Sequence, residues 1–174
     1  MLFHSEEAHL QFMSIGRKFY RFTPIEILLF VVVLFQITSG VFLLKEKWKD
    51  LNNAWDRIQN YSGAYFIYFL IAHLSAILYG RYTLELDTNL YFGAAVLNIS
   101  PMRYFFLFHY GLAIIAFFSH TACVHRIKIQ AFVSRKTANV QSVLIISFGV
   151  ALAFFLIRKM MELTIPREYI DPFQ

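Results

Sequence analysis

Four histidines, His73, His109, His120 and His125, fall within or at the end of long apolar stretches, and Arg126 follows His120 by six residues. An ionisable side chain at membrane depth is costly to desolvate, so a working role is its default expectation. An imidazole there can ligate haem iron through one ring nitrogen or move protons, and a guanidinium at the adjacent boundary can pair with a propionate. His109 and His120 are eleven residues apart, which at 100° per residue leaves them about 20° from a common helical face and ~16 Å apart along the axis. One helix could thus face two sites at different depths. The plainer alternative is polar glue, each histidine hydrogen-bonding across helices, with His125 solvated at the water boundary.

A second group is Asp56, Arg57, Gln59 and Ser62, next to the small pair Gly63-Ala64. Amide and hydroxyl hydrogen bonds beside interfacial charges suit a quinone head group, whose carbonyls need donors and whose reduction needs protons. The rival reading is a small-residue packing patch with ordinary flanking charges. There is no Gly-rich phosphate loop, paired-cysteine metal site or nucleophile elbow, so soluble-type catalysis has no candidate machinery. The single Cys123 can form no internal disulfide and reads as a packing residue.

These residues need a membrane to hold them. The chain has 174 residues, 58% of them hydrophobic, and a mean hydropathy of +0.53, which is too little polar surface to enclose a soluble core. Four apolar runs, at about 24–44, 61–79, 102–124 and 140–157, each approach the ~20 residues that cross ~30 Å of hydrocarbon. The expected fold is all-α and polytopic: an interfacial segment over 1–22, four transmembrane helices in an up-down bundle over 23–159, and a tail over 160–174. Residues 2–15 mix Leu2, Phe3, Leu10, Phe12, Met13 and Ile15 with Glu6, Glu7, His9 and Gln11, a pattern able to lie along the interface as a helix. The N-terminus does not resemble a signal peptide, and Glu6 and Glu7 argue against an acid-poor transit peptide.

Boundary chemistry supports these spans. Thr23-Pro24-Ile25-Glu26 offers a capping hydroxyl, a proline at the first helical position and a Glu three residues after the cap. Ser100-Pro101 repeats the pattern, and Gly80-Arg81 suits a helix end. The connection from Arg81 to Pro101 is too long for a tight turn, and Leu90, Tyr91, Phe92, Val96 and Leu97 predict a short interfacial or re-entrant element. The sequon Asn98-Ile99-Ser100, followed by Pro101, is discounted as a glycosylation site. The net charge of +5 is spread over connections and tails, which fits acidic-lipid contact and argues against a nucleic-acid surface. Orientation is undetermined: eight basic residues (Arg17, Lys18, Arg21, Arg81, Arg103, Arg158, Lys159, Arg167) lie on the side of the termini and eight (Lys45, Lys47, Lys49, Arg57, Arg126, Lys128, Arg135, Lys136) on the other, a tie under the positive-inside rule.

Measured from the side where the second span starts and the third ends, the apolar runs place His120 ~7 Å in, His73 ~18 Å and His109 ~24 Å. His73 and His120 are therefore poorly matched for one haem, although a tilt of ~20° shifts such depths by several ångströms.

At these residues the chain resembles a known family. Gln59-x-x-Ser62-Gly63 followed by His73 looks like the Gln-x-x-(Ser/Thr)-Gly helix start, with a histidine ten residues past the glycine, of the cytochrome b membrane subunits of succinate dehydrogenases and fumarate reductases. His120 to Arg126 is similar to that superfamily's His-x-x-x-Gly-x-Arg, whose histidine is an axial haem ligand. The resemblance covers roughly residues 56–157. Val124 stands where the family has glycine, Asn60 where the single-haem members have arginine, and no acid follows Arg126 where the family often has an Asp. Span one carries its own Gln36-x-x-Ser39-Gly40, at the wrong end of the helix and with Asp50 where a histidine would fall, and is read as coincidence.

What the resemblance implies is a membrane anchor subunit of succinate dehydrogenase, of the respiratory complex II type, in the mitochondrial inner membrane or a bacterial cytoplasmic membrane. Haem b would sit beside His120, with His73 the other candidate ligand and Arg126 the propionate partner. Ubiquinone or menaquinone would bind near Gln59 and Ser62, with Arg57 and Asp56 at the interface. Electrons would arrive from an iron-sulfur subunit served by a flavoprotein subunit, and a second small membrane anchor would supply the other axial ligand unless tilt brings His73 into line. The chain alone would not oxidise succinate. Two other readings stay open: a structural accessory subunit of a respiratory complex without cofactor, and a free-standing two-haem cytochrome b using His73 with His109 and His120 with an external ligand.

Overall fold

In the computed structural model, which describes residues 5–173, the chain folds into six α-helices and two 3-10 turns, without a strand among the described residues. The helices are α1 (Glu6–Tyr20), α2 (Thr23–Lys47), α3 (Ala54–Tyr82), α4 (Leu90–Asn98), α5 (Met102–Ile129) and α6 (Arg135–Met161). Four of them, α2, α3, α5 and α6, are long and apolar enough to cross a membrane. The protein is therefore an all-α, polytopic membrane protein. The spans have 25 to 29 residues, or ~37–43 Å at 1.5 Å per residue, so their ends project beyond ~30 Å of hydrocarbon. Both terminal segments lie on one side, here the terminal side. On the far side α2 ends, α3 begins, α5 ends and α6 begins.

The helices outrun the apolar runs because polar residues start them. Asn53 caps α3, its Oδ1 accepting from the amides of Trp55 (2.9 Å) and Asp56 (3.1 Å), while the Asp56 carboxylate accepts the Asn53 amide at 3.2 Å. This reciprocal box carries Asp56, Arg57 and Gln59 into the helix, ahead of the apolar run. Elsewhere the expected caps are not made. Thr23 is the first residue of α2, behind a Phe22 cap that makes no side-chain bond, and Glu26 reaches across to Arg81 of α3 instead. Ser100 does not cap α5, which starts behind Pro101. Gly80 does not end α3. It is where Phe92 of α4 packs, and a Cβ there would stand 2.5 Å from that ring. The predicted element between spans two and three is α4, with Ala94, Ala95 and Leu97 fully buried. Asn98, discounted as a sequon, is a strut, donating to the carbonyls of Ala94 (2.9 Å) and Met160 (3.3 Å).

Each span packs on its chain neighbour, α2 on α3, α3 on α5 and α5 on α6, with α4 tucked against α5 and α6. Ala113, Ala116, Ala122, Ala138 and Ala153 are buried, and such small residues let helix backbones approach where the hydrophobic effect gives no drive between helices. Polar groups then cross the gap between α5 and α6: the Ser142 hydroxyl donates to the Ala122 carbonyl (3.1 Å), and His125 Nε2 sits 3.0 Å from Gln141 Oε1. His125 is thus half-buried helix glue and not a solvated boundary residue. No residue of α2 is buried, which leaves most of its surface to lipid or another chain.

On the terminal side α1 lies against the α3–α4 connection. Arg17 and Arg21 both pair with Asp87 (3.1 and 3.2 Å), Arg21 also donates to Thr88 (2.9 Å), and the Tyr91 hydroxyl donates to Glu6. Leu2 and Phe3 of the predicted strip lie outside the described residues. The Glu6 carboxylate pushes the Tyr91 phenol up to about 12, with burial adding to it. Because the folded value is raised, the docking contribution of this pair is intact below pH ~10, the unfolded value, and is lost as pH climbs toward about 12. Proteolysis of α1 should therefore be flat from pH 7 to 9 and accelerate above ~10, and Tyr91→Phe should blunt that rise. An identical pH profile in the variant would refute the assignment.

Candidate functional site

His120 projects from α5 nine residues before its end at Ile129, ~13 Å from the far-side terminus. Its Nδ1 lies 3.3 Å from the backbone carbonyl oxygen of Gln59 in α3. The approach depends on Gly63, where a Cβ would stand only 3.2 Å from both Cε1 and Nδ1 of the imidazole. With Nδ1 as the donor to that carbonyl, the ring is fixed in one tautomer and Nε2 keeps its lone pair free. This is how ligating histidines are commonly oriented.

His120 borders a cavity of about 440 Å³ between α2, α3 and α5. Besides His120, its polar lining comes from Gln36, Ser39, Lys47, Gln59, Asn60 and Thr121, and its apolar lining includes Phe66, Ile67, Phe117 and Val124. Val124, at the resemblance's glycine position, therefore occupies space on this wall. Asn60 is 3% exposed, and its Nδ2 has no hydrogen-bond partner. Such a buried donor is costly unless something accepts from it. Of the group singled out in the sequence, only Gln59 lines the cavity. Ser62 is buried and donates to the carbonyls of Ile58 (2.6 Å) and Gln59 (3.2 Å) on its own helix. Asp56 is spent on the cap, and Arg57 is exposed in the first turn of α3.

Arg126 does not line this cavity. It is 9% exposed, donates from Nε to Asn139 Oδ1 at 2.6 Å, and lies over the Trp55 ring at 5.1 Å, joining α3, α5 and α6. Cys123 adds a contact to the same junction, its thiol 3.6 Å from the Trp55 carbonyl oxygen. Arg126→Leu is expected to destabilise the protein by about 2–3 kcal/mol through the lost charged hydrogen bond and ring contact. Unfolding in detergent reads this, and a stability equal to wild type would contradict the junction role.

His73 and His109 lie elsewhere. Each is about 28–30 Å from the far-side end of its helix, level with the other and ~15 Å from His120 in depth. The Phe69 ring stands 5.2 Å from both imidazoles. His109 is 6% exposed within an aromatic cage; Tyr65 donates to its carbonyl oxygen at 3.2 Å, and the same hydroxyl is 3.4 Å from Nδ1. His73 lines a second, largely apolar cavity of about 510 Å³ between α3, α5 and α6. The fold thus brings Gln59 to His120 and keeps His73 away from it.

Gln36, Ser39 and Asn60 were not among the expected site residues. Their signal was present: Gln36-x-x-Ser39-Gly40 puts three residues on one helical face, the face that α2 turns to the cavity. Comparison of the chain with protein-family models, curated proteins and solved structures finds no match.

Proposed function

We propose that the chain is a membrane anchor subunit of a succinate:quinone oxidoreductase, binding haem b at His120 and quinone near the far-side end of α3. The observation that carries this reading is the His120 imidazole, held at membrane depth by the Gln59 carbonyl against Gly63. It joins the two sequence motifs on which the resemblance rests, one on α3 and one on α5. The donor set fits haem in one respect: His120 would offer one ring nitrogen to its iron. Among the described residues no second histidine lines its cavity, so under this reading a partner membrane subunit would supply the other ligand and His73 would not be used. Arg126 is committed to Asn139 and Trp55, which leaves Lys47, at the far-side end of α2 and on the cavity wall, as the cation able to meet a propionate. When bound, haem b supplies one-electron chemistry between an iron-sulfur relay and quinone.

The chain's own part is to bind and orient. Gly63 and Gln59 set the imidazole, and the apolar walls at Phe66, Ile67 and Phe117 exclude water from the group they enclose. Partners under this reading are an iron-sulfur subunit, a flavoprotein and a second small anchor. The scaffold alternative draws support from His109, His125 and Arg126, all spent on packing or helix contacts. Haem quantification in the purified assembly separates the readings. One haem b per copy of the chain supports the proposal, two point to a free-standing cytochrome, and none leaves the scaffold.

A further inference from the structure

We propose that the far-side end of α2 binds an anionic phospholipid: the ammonium groups of Lys45 and Lys49 take its phosphate, and Val41, Leu44 and Trp48 receive the upper part of an acyl chain. The site is separate from the His120 cavity and stands whether or not the chain carries haem.

Acidic residues break the tie that the count of basic residues leaves. Each side holds eight cations, but eight of the eleven acids lie on the terminal side and only Glu46, Asp50 and Asp56 on the far side. The whole formal charge of +5 therefore sits on the far side. All five ion pairs among the described residues are on the terminal side. Asp56 is bound into the α3 cap, Arg126 is buried, and Lys47 faces the His120 cavity. That leaves Lys45, Lys49, Arg57, Lys128, Arg135 and Lys136 exposed and without an acidic partner among the described residues. Arg135 and Lys136 even open α6 with no acid in its first turn, where the helix dipole disfavours cations. Anions from outside the chain are the counterpart this face lacks.

Depth selects lipid over an acidic protein. The six cations stand one to five residues beyond the ends of the apolar runs, ~1.5–8 Å at 1.5 Å per residue, and the headgroup layer on each side of a bilayer is ~5–8 Å deep. They are level with lipid phosphates and do not rise above them. Within this ring the end of α2 offers a seat. Val41, Leu44, Lys45, Trp48 and Lys49 line an open groove of about 480 Å³, and neither Glu46 nor Asp50 is on its wall. Their spacing of three and four puts the five on one helical face. Trp48 is 50% exposed and meets Tyr61 edge-on at 5.7 Å, as aromatic residues do at a membrane interface. Two ammonium groups one turn apart over an apolar strip match a phosphate above its acyl chain. A free phosphate would leave the strip uncovered, and a zwitterionic headgroup would bring a cation of its own against the lysines.

The chain's two tryptophans, Trp48 and Trp55, both lie on the far side, so its emission reports on the site. The test places the purified full chain in vesicles of phosphatidylcholine with phosphatidylglycerol as the minor lipid, and puts bromine near the top of the acyl chains of the phosphatidylglycerol or of an equal amount of the phosphatidylcholine. Bromine on the phosphatidylglycerol should quench as if that lipid were enriched about fivefold beside the protein. Lys45→Gln combined with Lys49→Gln should remove most of the enrichment, while Lys128→Gln combined with Lys136→Gln should leave most of it in place. No enrichment in the wild type would overturn the proposal and leave the far-side charge to an acidic protein. Enrichment that survives Lys45→Gln with Lys49→Gln would also overturn it. Should that variant fail to fold, the wild type in ~1 M salt decides, since the Debye length there is ~3 Å: a sharp fall in enrichment supports the site, and an unchanged value refutes it.

Discussion

His120→Ala is expected to abolish the low-spin b-type haem spectrum of the assembly, whereas His73→Ala should leave it intact. The imidazole is oriented by a backbone carbonyl of a neighbouring helix, 3.3 Å away, so removing it deletes the nitrogen proposed to hold the haem. Among the described residues no other histidine lines its cavity to replace it. His73 is ~15 Å away in depth and stacks on Phe69, which makes it the internal control. The expected change is complete loss of the band, with the assembly unchanged by gel filtration. An unaltered spectrum in His120→Ala would reject the ligand assignment outright.

The second large effect concerns the α5–α6 seam. A Cβ at Gly149 would stand 2.4 Å from Phe118 Cβ and 2.6 Å from its Cγ. These atoms sit at the root of the side chain and cannot swing aside, so any substitution must push the helices apart. Overpacking costs typically 1–3 kcal/mol and occasionally more, and here it breaks the most extensive helix contact of the fold, together with its bonds from Ser142 and His125. Gly149→Ala should therefore lower stability by about 3 kcal/mol in denaturant titration of the detergent-solubilised protein. Gly16→Ala, where a new Cβ meets nothing within 4 Å, should be neutral or slightly stabilising. Equal stability for the two variants would contradict the packing described.

Much of this architecture was legible in the sequence. The four spans follow from apolar run length, α4 from the excess length and apolar content of its connection, and α1 from its amphipathic strip. What was not legible depends on partners distant in the chain. Glu26 reads as a capping residue until Arg81, fifty-five positions later, is seen beside it. The site was half legible for a reason of helical phase. Asn60, Gly63, Ile67 and Leu70 share the face that α3 turns to the cavity, and Ser62, two positions from Asn60, points away from it. Likewise His120 and Arg126, six residues apart, sit about 120° apart around one helix, so an unbroken α5 cannot turn both into a single cavity. The echo at Gln36 was dismissed because it lay at the wrong end of its helix for the motif. Its depth matches the cavity because α2 runs antiparallel to α3.

The central claim is that this chain anchors a quinone-reducing succinate oxidoreductase. Isolation of the chain from its native membrane in mild detergent, with identification of the co-purifying subunits and assay of succinate:quinone reductase activity, tests it most directly. The account predicts a flavoprotein and an iron-sulfur protein in stoichiometric amounts, with quinone reduction driven by succinate. Recovery of the chain with neither protein and no such activity would contradict it.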